Sequence, residues 1–241
     1  MKHMPTLVTD IPRFDERDLL IVQHVARHHL TTNEALRRLF FSASQPNSVV
    51  KVTSRLCRQQ MLQKFPLIHP QVYFTLTAKA CRQIGRAPSR SQPLGPQALP
   101  SELAALLYCT CGPRYHQRLT NHELREQFPW FPAASNHDIY CVDRTDSALP
   151  VLEWIRTDLG GPSHHVVRKT LRRLERWMES PGFSVALQQN HIRVVFLTAT
   201  SEKMQSIQEA LKRHDWPAGM SIHLASIPQL LPLTTRYHHG T

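Results

Sequence analysis

Three acids set the first chemical question. Pro150–Gly161 reads PVLEWIRTDLGG, with Glu153 and Asp158 in a largely apolar run, and Asp138 stands near the start of the preceding run HDIYCVDR. An acid on one strand, followed on the next by an acid and a lysine two residues apart, can hold a hard divalent cation through oxygen and position water for hydrolysis. The lysine is missing here. Ile155 stands two residues after Glu153, Gly160 stands two residues after Asp158, and Arg156-Thr157-Asp158 has the spacing with the wrong chemistry. Arg168 or Lys169 would have to supply the cation from a following helix. A nuclease using Asp138, Glu153 and Asp158 with Mg2+ is therefore the second reading. The first is no catalysis, no metal and no cofactor, with Arg156 facing phosphate where an acid would have held an ion.

Other catalytic constellations are poorer. The chain has neither GxxxxGK[ST] nor GxGxxG, so nothing cradles a nucleotide phosphate in the usual way. Of five cysteines, Cys109 and Cys111 form only a CxC, short of the paired spacings of a structural zinc site even with His116 and His122 downstream. The odd count points to reduced thiols and a cytoplasmic protein. No apolar run is long enough to span a bilayer.

Positive charge is more informative. Lys and Arg number 29 against 18 Asp and Glu, a net charge of +11, which favours a polyanionic partner such as nucleic acid. Hydrophobic residues at 41% permit a packed core. The charge gathers on two helices. In SVVKVTSRLCRQQMLQ, Val49, Val52, Leu56 and Cys57 share one side, while Lys51, Ser54, Arg55, Arg58 and Gln59 fall on the other. Such a face suits the major groove, where Arg and Lys meet guanine edges and phosphates. In PSHHVVRKTLRRLERWMES, Arg168, Lys169, Arg172, Arg173 and Arg176 oppose an apolar stripe and suit a phosphate backbone or an acidic partner.

The surrounding elements must hold these faces. Apolar spacing predicts a helix over 15–29, then a Thr31/Glu34 capping box opening the helix EALRRLFF, then the basic helix. KFPLI and QVYFTL, joined by His69-Pro70-Gln71, read as a hairpin, and Thr77–Gly85 as a closing helix. This order is a winged helix-turn-helix over 15–85, with Lys64, His69 and Gln71 on a wing that reaches phosphate. Residues 1–14 read as a flexible N-terminus, 86–100 as a Pro/Ser-rich linker, and 234–241 as a tail. Between them, 101–233 reads as helices with a second capping box at Thr120/Glu123, then strand, strand, helix, strand, helix, strand. That is an α/β domain with a mixed sheet, making the chain α+β overall.

A winged helix, then an α/β domain with an HD-type strand (His137-Asp138), then a strand ending near an acid and glycine, resembles the replication-relaxation family of plasmids and integrative conjugative elements. The resemblance implies DNA binding in replication, relaxation or mobilisation, and a second domain like a restriction endonuclease. Family members often carry acid-x-acid on the strand corresponding to WIRTDLG. Here Arg156 replaces the first acid and only Asp158 remains, so the fold is expected to be a degenerate one. The expected function is sequence-specific binding of double-stranded DNA in replication, mobilisation or transcriptional control of a mobile element. A homodimer and contacts with replication or conjugation proteins are further expectations, and an adaptor whose basic faces meet acidic proteins is the third reading.

Overall fold

The computed structural model describes residues 15–45, 47–112, 114, 116–132, 135, 138–144 and 150–234. Residues 1–14 and 235–241 lie outside it, as do Thr145, Asp146 and Ser147 of the turn 144–147 that the sequence suggests between the first two strands of the second domain.

The first three helices are α1 (Glu16–His28), α2 (Asn33–Phe40) and α3 (Asn47–Arg58). Their apolar faces converge: Ile21, Val22 and Val25 of α1, Leu36 of α2, and Val49, Val52 and Leu56 of α3 share one core. The cap of α2 is one residue later than the sequence suggested. Thr32 accepts from the Ala35 amide, while Glu34 turns outward to Arg37 and Arg38. Thr31 instead bridges to Phe74, adding a strand-like contact to the hairpin β1 (Leu62–Pro66) and β2 (Val72–Leu76). Helix α3 also stops five residues short of the expected Gln63. Gln60 takes a left-handed φ of 58°, which ends the helix and lets Met61 and Leu62 enter the core at the start of the wing. The short α4 (Ala78–Gln83), capped by Thr77, closes a winged helix-turn-helix.

The segment expected to be a linker is packed. Pro88–Ser91 forms a turn of 3-10 helix, Ser91 carbonyl accepts from Gln63, and Tyr73 hydroxyl accepts from the Leu94 amide. Helix α5 already begins at Ala98 and runs to Cys111. It is apolar around most of its circumference, and it is buried between the winged helix and a five-stranded sheet.

That sheet runs in the order β3 (His116–Arg118), β4 (Ile139–Asp143), β5 (Val151–Thr157), β6 (Ile192–Thr198), β7 (Ser221–Ser226). Strands β3, β4 and β5 pair antiparallel, while β5, β6 and β7 pair parallel, so the chain is α/β with a mixed sheet. The parallel steps need crossovers, supplied by α7 (Ser163–Met178) with α8 (Pro181–Gln188), and by α9 (Ser201–Leu211). One sheet face, with Ile139, Cys141, Ile155 and Val195, packs on α5. The other, with Tyr140, Trp154, Val194 and Phe196, packs on α7, α8 and α9 through Leu174, Trp177, Phe183 and Ile207. Helix α6 (Asn121–Gln127) carries the expected Thr120/Glu123 capping box. The last turn α10 (Leu231–Thr234) is anchored rather than frayed, since Leu233 and Thr234 are buried. It lies against the β5–α7 turn, where Gly160 has φ 91° and an added Cβ would sit 2.8 Å from the Thr234 carbonyl oxygen.

The two halves are clamped together. Arg27 of α1 makes a two-pronged pair with Glu123, at 2.9 and 2.8 Å, and donates to the Arg118 carbonyl at 2.6 Å. Arg118 in turn donates to the His28 carbonyl and pairs with Glu102, which also meets His29. Leu30, Ala35, Leu67 and Tyr73 of the winged helix join the same apolar cluster as α5 and the sheet.

Candidate functional site

Helix α3 presents a continuous exposed stripe of Asn47, Val50, Lys51, Ser54 and Arg58. These positions recur at three- and four-residue intervals, so they form one ridge along the helix. The helix contains no acid, and among the described residues neither Lys51 nor Arg58 has an acidic partner. On the wing, Lys64, His69 and Gln71 are exposed, the last two at the tip. The arrangement is an exposed basic ridge flanked by a hairpin.

Two residues expected on that ridge do not belong to it. At 100° per residue Arg55 lies about 40° and Gln59 about 80° around from Lys51, toward α1. Arg55 Nη1 and Nη2 each donate at 2.7 Å to the carboxylate of Asp18, which is fully buried. Arg55 therefore ties α3 to α1 and is not free to read a base. Gln59 is half-buried, with its side-chain oxygen enclosed.

The long helix α7 divides in the same way. Arg168, Lys169, Arg172 and Arg176 are exposed, and among the described residues they have no acidic partner. Arg173 turns inward, donating to Asp138 Oδ2 at 3.1 Å with its guanidinium over Trp177. Arg156 approaches Asp138 Oδ1 at 3.6 Å, donates to Thr170 Oγ1 at 3.2 Å and lies over the Trp154 ring. Asp138 is thus held by two guanidiniums. Arg156 faces this acid and not solvent, which corrects the expectation that it meets phosphate.

The three acids of the nuclease reading are not brought together. Glu153 and Asp158 are five residues apart, about 16 Å along extended chain and on opposite sides of it. Asp158 is buried near Lys203 Nζ at 3.8 Å. Burial raises its carboxyl above the usual range, partly offset by Lys203 and the Gly160 amide. Glu153 has a third environment on the α5 side of the sheet. Tyr108 hydroxyl donates to Glu153 Oε1 at 3.0 Å, Arg193 Nη1 approaches the same oxygen at 3.2 Å, and His116 Nδ1 lies 2.8 Å from Oε2. Burial and the neighbouring carboxylate push the Tyr108 phenol far up, so it stays a donor. Residues placed like this do not fit a Mg2+ ion shared by Asp138, Glu153 and Asp158.

His116, Asp143 and Glu153 do lie within reach of one common ion. Their charges are already met, however. Arg193 also contacts Asp143 Oδ2 at 3.4 Å, as does Arg114, so two guanidiniums face two carboxylates. The cluster pins β3, β4, β5 and β6 to α5. Sequence reasoning missed it because His116, Asp143 and Arg193 lie on three separate strands. The available signal was parity: Glu153 and Arg193 interrupt the strand faces that otherwise carry Ile155, Val195 and Leu197 toward α5, and the parallel register makes them neighbours.

No family model, no curated protein and no solved structure matches this chain. Among the described residues no helix is long and apolar enough to cross a membrane.

Proposed function

We propose that this chain is a sequence-specific double-stranded DNA-binding protein, with α3 in the major groove and the wing on the adjacent backbone. The observation that carries this reading is the acid-free exposed ridge Asn47, Val50, Lys51, Ser54 and Arg58 on the third helix of a winged helix-turn-helix. Lys51 and Arg58 are the base- or phosphate-reaching cations, Ser54 is a short donor between them, and Lys64, His69 and Gln71 contact the flanking strand. The outward cations of α7, Arg168, Lys169, Arg172 and Arg176, add sequence-independent phosphate contacts. The setting, replication, mobilisation or transcriptional control of a mobile element, rests on the motif resemblance alone. Selection of bound duplexes from a random pool, followed by a footprint, tests the reading. A reproducible motif protected over a defined site supports it, and two half-sites about one helical turn apart would indicate a dimer. Recovery of no enriched sequence overturns sequence-specific recognition.

A nuclease reading has less support, because Asp138 is engaged by Arg156 and Arg173 and the other two acids lie elsewhere. Supercoiled plasmid incubated with the protein and Mg2+ or Mn2+ is expected to stay intact. Cleavage abolished by Asp158→Ala would reverse this ranking.

A further inference from the structure

A cleft of about 900 Å3 opens where the winged helix meets the sheet domain. Its walls come from the end of α1, the packed segment after α4, the start of α5, and the β3–α6 turn. Four guanidiniums line it, those of Arg27, Arg86, Arg90 and Arg118, together with the carboxylates of Glu102, Glu123 and Asp138. Each carboxylate is already engaged: Glu102 by Arg118, Glu123 by Arg27, and Asp138 by Arg156 and Arg173. Arg86 and Arg90 are left over. Both are half-buried, four residues apart, and among the described residues neither has an ion pair or a side-chain hydrogen bond.

Two like charges in a partly desolvated cleft repel one another. Burial first, then Arg86 and Arg118, pull the Arg90 guanidinium down to about 10, against a smaller upward pull from the Glu102 carboxylate. An anion between the two groups would relieve this repulsion. Guanidinium forks match the geometry of phosphate oxygens, and a dianion would balance both charges. The cleft has the volume of a small-molecule site and lies at a domain junction, where such sites concentrate. Its lining holds no Phe, Tyr or Trp, its only rings being the imidazoles of His29 and His122, and Gln97, Ser101 and Asn121 supply uncharged polar groups.

We propose that this cleft binds a small phosphorylated molecule, with Arg86 and Arg90 gripping the phosphate and the polar wall meeting the remainder. The site is separate from the α3 ridge and does not depend on the DNA-binding reading. Because the cleft is lined from both halves of the chain, its ligand would also stabilise their junction.

Calorimetric titration of the full chain with inorganic pyrophosphate tests this, at constant ionic strength so that general attraction to a net charge of +11 is held fixed. Saturable one-site binding and a raised melting temperature are expected. Arg86→Gln/Arg90→Gln should weaken binding about tenfold or more, as expected when hydrogen bonds to charged groups are removed. Without ligand, that variant should melt at or above the parent temperature, since it removes a repulsive pair. Should it not fold, Arg90→Lys keeps the charge, loses the fork, and is expected to lose several-fold in affinity. Failure of pyrophosphate to saturate, or undiminished binding by the folded variants, overturns the proposal. A titration with duplex DNA separates the two sites. The double glutamine variant should bind duplex like the parent, and loss of duplex binding without saturable pyrophosphate binding would assign these guanidiniums to DNA and overturn the small-ligand reading.

Discussion

At the scale of single residues, the arginines of this chain divide by what they face, and residue type alone does not reveal the division. Arg58 is exposed and, among the described residues, unpaired by any acid, whereas Arg55, three positions earlier, closes a two-pronged pair on buried Asp18. Removing Arg55 leaves a buried carboxylate without its partner, and a loss of that kind costs about 3 kcal/mol. Arg55→Ala should therefore lower the urea midpoint of the full chain markedly, and Arg55→Met/Asp18→Leu should recover much of it. Arg58→Ala should leave the unfolding free energy within about 0.5 kcal/mol of the parent, as exposed substitutions do. Equal destabilisation by both single variants would mean that α3 is not seated as described. The same division separates inward Arg156 and Arg173 from outward Arg172. These pairings were not legible in the sequence because Asp18 and Asp138 lie 37 and 35 residues from Arg55 and Arg173.

At the scale of elements, most of the architecture was legible. The helices α1, α2, α6, α7 and α9 and the strands β4 to β7 follow periodicity and capping residues, because those signals are local. What escaped was short or decided by distant contacts. Strand β3 is three residues of polar character, HQR, and exists because β4 offers it a pairing edge. The Pro-rich stretch looks like a linker by composition but is ordered by Gln63 and Tyr73 of the wing. Helix α7 was legible in its pattern but not in the fate of Arg173. Its outward face makes a prediction of its own. If Arg168, Lys169, Arg172 and Arg176 meet backbone phosphates, Arg168→Ala/Arg172→Ala should shallow the slope of log affinity against log salt by about 0.9 for every phosphate that is no longer neutralised. Sequence preference should be unchanged. A slope identical to the parent would remove α7 from the interface.

At the scale of the whole molecule, the winged helix and the sheet domain are joined by Arg27–Glu123, Arg118–Glu102 and a shared apolar cluster. That junction is expected to weaken in acid. Burial, then Arg27, lowers His24 from 6.5 to about 4, and burial with His24 and two arginines lowers His28 well below 6.5. Between about 6.5 and 4 the unfolded chain binds protons that the folded chain refuses, so stability falls as pH drops through this window. Burial pushes the Glu102 carboxyl up, but Arg118 and His29 outweigh it and hold it at about 2. Its contribution is complete above the ordinary 4.5 and is lost as pH falls from there toward 2. Urea midpoints should accordingly decline from pH 7 to 4, with a shallower decline in His24→Gln/His28→Gln, whereas a flat profile would contradict the burial of these rings. These contacts set where the α3 ridge points, and the ridge is the centre of the proposed function. Fluorescence anisotropy on a selected duplex, comparing the parent with Lys51→Ala/Arg58→Ala at fixed salt, tests it most directly. We expect a loss of about tenfold or more on the selected sequence, a smaller loss on a scrambled one, and an unchanged melting temperature. Undiminished affinity of the folded variant for the selected duplex would contradict it.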